Sequence, residues 1–154
     1  MAGAESEAEL LEALGSLYAH ADALYAGWTC PRSTECCRFG VSGREPYVTS
    51  LEALALSRVL ARRGGPLAGR SRALPLAGHG AGERICPLLE RSGRCAAYTD
   101  RPLGCRTYYC RRASGDGTPD RAELRSLVQG LRDLAERHRP GGELARPLTR
   151  ALGD

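Results

Sequence analysis

The apolar residues in three stretches of the chain recur at three- and four-residue spacing, which predicts amphipathic α-helices. The first stretch is residues 4–27, where four glutamates near the start favour the helix dipole. The second begins with Thr49 and Glu52 in a capping-box pattern and ends at two glycines. The third is residues 118–139, and a short, proline-interrupted helical tail follows it. The leucine faces of these helices are expected to form the core of one domain, residues 1–154.

The segments between the helices show signals of irregular and short β-structure. Residues 64–82 are rich in Gly, Pro and Arg, which predicts a loop. Residues 85–98 contain two short strand-like segments on either side of a turn at 90–93. This pattern predicts a β-hairpin. Asp100 and Pro102 then favour the start of a short helical turn. The predicted fold class is α+β: a mainly helical small domain with a short β-hairpin and irregular, cysteine-rich loops.

The composition argues against two functional classes, nucleic-acid-binding proteins and membrane proteins. The formal net charge is +4, and all 22 basic residues are arginines, which would suit nucleic acid if they formed a patch. They are instead spread over helices and loops, and aromatic residues are too few to form a stacking platform between them. The chain also has neither an apolar stretch long enough for a bilayer nor a recognisable secretory leader. We therefore expect a cytoplasmic protein without nucleic-acid or membrane partners.

Seven cysteines carry the strongest chemical signal in the chain. They form an upstream group of Cys30, Cys36 and Cys37 and a downstream group of Cys86, Cys95, Cys105 and Cys110. A disulfide framework does not suit an odd number of cysteines in a chain without a secretory signal. Cysteines that serve only as small buried hydrophobes would be dispersed along helix faces rather than clustered. The two groups therefore predict a thiolate site for zinc or for an iron–sulfur cluster.

The two cysteine groups lie within a more specific pattern. Residues 30–37 read CPRSTECC, and residues 86–110 place Cys-Pro, Arg-Pro and Cys-Arg at set offsets around the downstream group. Over residues 30–111 the chain resembles the bacterial and archaeal cysteine-cluster family named for its CxxCxxCC motif, which is described as a zinc- or iron-chelating domain. The resemblance implies a metal-binding region with the cysteines as ligands. It also implies supporting residues around the thiolates, namely Arg101, Arg106, Tyr98 and Tyr108.

One position departs from the family pattern. Ser33 stands where the motif has a cysteine, so one expected thiolate is missing. A serine hydroxyl is a poor ligand at neutral pH because it retains its proton, whereas a cysteine near a metal ionises readily. Either the site needs only the remaining cysteines or it has lost a metal. His79, in the glycine-rich loop, is a candidate extra ligand in place of that cysteine.

The adjacent cysteines constrain the kind of centre. In an extended chain, the side chains of Cys36 and Cys37 would point to opposite faces. Such a pair suits two separate ligand shells, or a turn that wraps around a polynuclear cluster, better than one closed tetrahedral ion. This favours an iron–sulfur cluster, or two metals, over a single zinc. The downstream group has the more specific spacing and is predicted to form the core of the site.

Two functions are consistent with these patterns. The first is a metal-binding protein, with zinc or an iron–sulfur cluster, that serves as an electron-transfer or accessory component of a larger modifying system. The alternative is an interaction module in which zinc is purely structural and a helical surface binds a protein partner. An enzyme is less favoured, because the chain contains no nucleophile elbow, phosphate-binding loop or zinc-protease motif.

Overall fold

The computed structural model describes residues 5–30, 34–64, 84–108, 115, 117 and 119–153. Its α-helices are α1 (Glu7–Leu24), α2 (Phe39–Ser42), α3 (Ser50–Arg62), α4 (Leu103–Arg106), α5 (Arg121–His138) and α6 (Leu148–Gly153). Two short strands, β1 (Tyr47–Val48) and β2 (Arg146–Pro147), and two 3-10 turns, Glu35–Cys37 and Tyr98–Asp100, complete the elements. The predicted α+β class, mainly helical with a small antiparallel β element, is confirmed.

The three long helices begin where side chains cap them. Ser6 forms a full capping box with Glu9 at the start of α1, and Thr49 forms one with Glu52 at the start of α3. At α5 the cap is Asp120, whose carboxylate accepts from the N–H of Ala122 at 2.7 Å. This helix therefore begins slightly later than the sequence predicts, because the aspartate satisfies the first free N–H groups.

The β-structure differs from the prediction in its location. β1 pairs antiparallel with β2, with Tyr47 opposite Pro147 and Val48 opposite Arg146. The predicted turn at residues 90–93 is present, and Gly93 adopts a φ of 77° there. Pairing across that turn is limited to one bridge, between Leu89 and Cys95. It extends no further because the chain enters a 3-10 turn at Tyr98.

Two clusters of buried residues form the interior. The first joins α1, α3 and α5 through Leu10, Leu14, Tyr18, Ala21, Leu51, Leu103, Leu127, Leu131 and Leu134. The second includes Phe39, Val48, Leu56, Val59, Leu60, Cys86, Leu88, Ala97 and Leu148. Residues of α3 contribute to both clusters, so this helix connects the long-helix core to the cysteine-bearing half. Among the described helices, none has both the length and the apolar character needed to cross a membrane. Most of the predicted loop, residues 64–82, lies outside the described residues.

Candidate metal centre

Six of the seven cysteines line one cavity of about 420 Å³. They are Cys30, Cys36, Cys37, Cys86, Cys95 and Cys105, and none of the six forms a disulfide bond. These cysteines come from three separate parts of the chain: the upstream segment, the segment around the turn at 90–93, and α4. Cys110, Ser33 and His79 lie outside the described residues, so their predicted roles stay predictions.

Backbone pairing brings the upstream and downstream cysteines together. The N–H of Cys86 donates to the carbonyl oxygen of Cys37 at 2.7 Å, and Arg38 forms an antiparallel bridge with Ile85. A second hydrogen bond runs from the N–H of Gly40 to the carbonyl oxygen of Arg84 at 3.1 Å. The two cysteine groups are thus joined by main-chain hydrogen bonds as well as by a shared cavity.

Cys36 and Cys37 occupy a 3-10 turn rather than an extended segment. Thr34, just before it, has the left-handed φ of 62°, which reverses the chain direction. The two sulfurs lie 3.9 Å apart and both face the cavity. Of the two arrangements that the sequence allowed for this pair, the structure has the turn. A tetrahedral zinc with Zn–S bonds of about 2.3 Å separates its sulfurs by about 3.8 Å, close to this spacing.

The protonation of the thiols follows from their burial and from their proximity. Burial raises the pKa of Cys86 to about 12, and neighbouring thiols add to the effect. Burial also raises the pKa values of Cys95 and Cys105. Cys36 differs, because the hydrogen bond from the thiol of Cys37 lowers its pKa to about 6 and the Cys37 pKa rises in return. Without a cation, Cys36 therefore favours the thiolate at neutral pH, whereas Cys86 favours the protonated thiol.

The six described cysteines share the lining of the cavity. Within the described ranges, no three His, Cys, Asp or Glu side chains have the arrangement that holds a metal ion.

Arg101 lies in the wall of the cavity beside the thiols. Its guanidinium stacks over the ring of Tyr98 at 4.0 Å. Its positive charge adds to the lowering of the Cys36 pKa and acts against the rise that burial causes in the Cys95 pKa. The Nε atom is buried and has no hydrogen-bond partner in the part of the chain that the structure describes. An unpaired buried donor costs about 1–3 kcal/mol, so an acceptor at this place would be strongly favoured. Tyr98 and Tyr108 also line the cavity.

Arg106 is the last residue of α4 and does not line the cavity. Its guanidinium stacks on the ring of Tyr18 at 4.1 Å and donates to the carboxylate of Asp22 at 2.7 Å. It also donates to the carbonyl oxygens of Thr99 and Arg101. Arg106 therefore contacts the backbone of the segment that carries Arg101.

Glu52 is a residue whose contribution to the site was missed in the sequence. One of its carboxylate oxygens accepts from the N–H of Leu103 at 2.8 Å and from the Tyr18 hydroxyl at 3.1 Å. The other accepts from the N–H of Thr49 at 2.9 Å. Burial raises the pKa of Glu52, and these donors act against that shift. Pro102, at the start of α4, has no capping side chain, so Glu52 caps the helix that carries Cys105.

The predicted role of Asp100 as the cap of α4 is wrong. Asp100 ends the preceding 3-10 turn, and the first N–H of α4 bonds to Glu52 instead. The capping-box pattern identified Glu52 as the partner of Thr49, but no local signal connects it to a helix about fifty residues later.

Comparisons with protein-family models, with curated proteins and with solved structures find no match to this chain. The resemblance to the CxxCxxCC family therefore stays a prediction that rests on the motif residues.

Proposed function

We propose that the protein binds a metal centre through cysteine thiolates in this cavity. The observation that carries the proposal is the position of six cysteines, from three separate parts of the chain, around one cavity. Disulfide bonds do not account for this arrangement, because none of the six cysteines forms one. Zinc and iron–sulfur centres are the sites in which proteins use several cysteines together.

The cavity residues fit the charge of such a centre. Four thiolates around a divalent ion leave about two excess negative charges, which nearby N–H donors and cations stabilise. The unpartnered Nε of Arg101 is such a donor, and sulfur is an acceptor that would satisfy it. The buried floor of Phe39, Leu88 and Leu148 excludes water from the thiols on the opposite side. These features support a resident centre rather than six unrelated thiols.

An iron–sulfur cluster is the first candidate for this centre. Cys36 and Cys37 lie in a turn at the cavity, and a turn that carries adjacent thiols can wrap around a polynuclear group. When bound, such a cluster supplies one-electron transfer. The chain's own residues would hold it by thiolates, donate an N–H from Arg101, and shield it with the second buried cluster. The protein would then serve as an electron-transfer or accessory component of a larger system.

Zinc is the second candidate, and the adjacent cysteines favour it. The 3.9 Å between the sulfurs of Cys36 and Cys37 is close to the edge of a tetrahedral zinc site. Zinc at this place would join the upstream turn to the downstream segment and would stabilise the fold. The function would then depend on a protein surface rather than on the metal.

Anaerobic purification followed by metal analysis tests the proposal. The protein, expressed with both iron and zinc supplied, is expected to contain bound metal in a fixed ratio. A brown colour with broad visible absorbance supports the cluster, and a colourless protein with stoichiometric zinc supports the second candidate. The double variant Cys86→Ser with Cys105→Ser should lose the metal. The matched control is His20→Gln, which removes an exposed ligand-type side chain outside the cavity lining.

Two results would contradict the proposal. One is a wild-type protein that is folded and free of metal under these conditions. The other is a double cysteine variant that keeps as much metal as the His20→Gln control.

A further inference from the structure

The wall of the cavity carries positive charge without compensating acids. Three arginines line it, namely Arg44, Arg94 and Arg101. No aspartate or glutamate is found among the described residues of the lining. Within the described part of the chain, these three arginines form no ion pair, whereas Arg58, Arg63, Arg84 and Arg137 each pair with a glutamate. The lining therefore carries three arginine charges that no acid among the described residues pairs with.

Two of these guanidinium groups are held in place by aromatic rings. Arg44 lies over the ring of Tyr108 at 4.3 Å, and Arg101 lies over the ring of Tyr98 at 4.0 Å. Stacking uses the flat face of a guanidinium and leaves its N–H edge free to donate. Arginine N–H edges match the paired oxygens of carboxylate and phosphate groups. The cavity thus presents oriented donors, in addition to positive charge.

The charge of a bound metal centre does not cancel that of the arginines. A divalent centre with four thiolates has a net charge of about −2, and the three guanidiniums together carry +3. The cavity volume of about 420 Å³ is also within the range of small-molecule sites, which is about 300–1,000 Å³. The cavity therefore has both the volume and the uncompensated positive charge to accept a further, anionic group. Arg101 has five N–H donors, so it can serve a sulfur and an oxygen together.

We propose that the cavity binds a small oxyanion, a ligand with a carboxylate or phosphate group, at Arg44, Arg94 and Arg101. This inference extends the proposed function, since it names the class of ligand that shares the cavity with the metal centre. The arginines and their tyrosine partners belong to the chain itself, so the anion site does not require the metal in order to form. Metal content and anion binding can consequently be tested apart from each other.

Calorimetric titration with inorganic phosphate and with succinate, at constant ionic strength, tests the proposal. Each probe is added to the protein as purified anaerobically and to the reduced protein after metal removal. We expect saturable binding of at least one probe at one site per chain. Arg44→Gln should weaken it at least tenfold, because an exposed guanidinium is lost without a buried cavity being created. Arg101→Lys should weaken it to a similar extent, because lysine keeps the charge but lacks the planar fork.

Arg91→Gln is the matched control. Arg91 is exposed in the same turn as Arg94 but does not line the cavity, so its removal changes the net charge equally and should leave the affinity unchanged. Tighter binding of phosphate would identify the ligand as a phosphate compound, and tighter binding of succinate would identify it as a carboxylate.

The proposal is overturned if neither probe binds saturably to either form of the protein. It is also overturned if Arg44→Gln and Arg91→Gln bind equally well. Metal analysis of the same samples separates the two proposals. Full metal content without anion binding rejects the anion site alone, and anion binding by a protein that never contains metal rejects the metal centre alone.

Discussion

The N–H of Cys86 donates to the carbonyl oxygen of Cys37, which places the two cysteine groups on paired backbone segments. A cysteine in one group therefore cannot move far unless the other group moves with it. The shared cavity has the same implication for the sulfurs, because those of both groups face it. If a metal binds, it should be held by upstream and downstream cysteines together.

Chelator-driven metal loss should reveal that sharing. Cys36→Ser is expected to accelerate the loss, because a thiolate is replaced by a hydroxyl that retains its proton. Ser33→Cys is expected to slow it, because it restores the motif cysteine. The measurement is the rate of metal transfer to a coloured chelator under anaerobic conditions. Identical rates in the wild type and both variants would show that the upstream group provides no ligands.

The downstream cysteines should be needed for both metal content and stability. Single changes to serine at Cys86, Cys95, Cys105 and Cys110 should each lower bound metal and the free energy of unfolding, because metal-binding energy is partly folding energy. Elemental analysis and urea unfolding of the same preparations provide the check. Full metal content in any two of these variants would argue against the downstream group as the core.

Glu52→Gln should destabilise the protein by about 1–3 kcal/mol, because an amide N–H would face buried donors that now bond to a carboxylate oxygen. Glu9→Gln is the matched control, since Glu9 occupies the same capping-box position on the exposed surface of α1. It should cost only about 0.5–1 kcal/mol. Urea unfolding measures both values. Equal losses would mean that Glu52 contributes no more than an ordinary exposed cap.

Arg106→Lys should lower the free energy of unfolding by about 1–3 kcal/mol. Lysine keeps the charge, but it cannot reproduce the three guanidinium contacts to Asp22, Arg101 and Thr99. Metal retention should fall as well, because the carbonyl oxygens of Thr99 and Arg101 lose the guanidinium that holds this backbone segment in place. Thermal unfolding and metal analysis test the two effects. A variant as stable as the wild type would contradict the structural role of Arg106.

Alkylation of the reduced, metal-free protein should be selective and dependent on pH. The thiolate is the reactive form, and the lowered pKa of Cys36, about 6, predicts that its rate rises as the pH increases through 6 and then levels off. Cys86, with a pKa raised to about 12, should stay nearly unreactive at pH 7. Peptide mass spectrometry after timed iodoacetamide treatment measures each site. Equal labelling of the two cysteines at pH 7 would contradict the prediction.

Local patterns in the sequence predicted the local parts of the fold. Helix periodicity and the capping-box pattern at Thr49 depend on residues three or four apart, and α3 begins where that pattern indicates. The pairing of Val48 with Arg146 joins residues about one hundred positions apart, and no local signal specifies it. The hydrogen bond from the N–H of Leu103 to Glu52 also joins distant residues, and no local signal specifies it. Long-range contacts of this kind depend on packing rather than on neighbouring residues.

For the site, the sequence predicted that the cysteines would cluster but not how. It left two arrangements open for Cys36 and Cys37, an extended backbone or a turn, and the left-handed Thr34 precedes the turn that the structure has. A threonine at a positive φ is uncommon, so the residue type at position 34 did not predict the left-handed conformation. Arg101 lines the same cavity as the thiols, and its Nε, unpartnered among the described residues, depends on burial that no motif encodes.

The small sheet has a consequence for the order of assembly. β2 positions Leu148 at the start of α6, where this fully buried side chain helps to line the cavity. All seven cysteines precede it in the chain, so the ribosome completes every thiol before it makes the residue that closes this part of the wall. During synthesis the thiols are therefore accessible from a side that the finished protein covers.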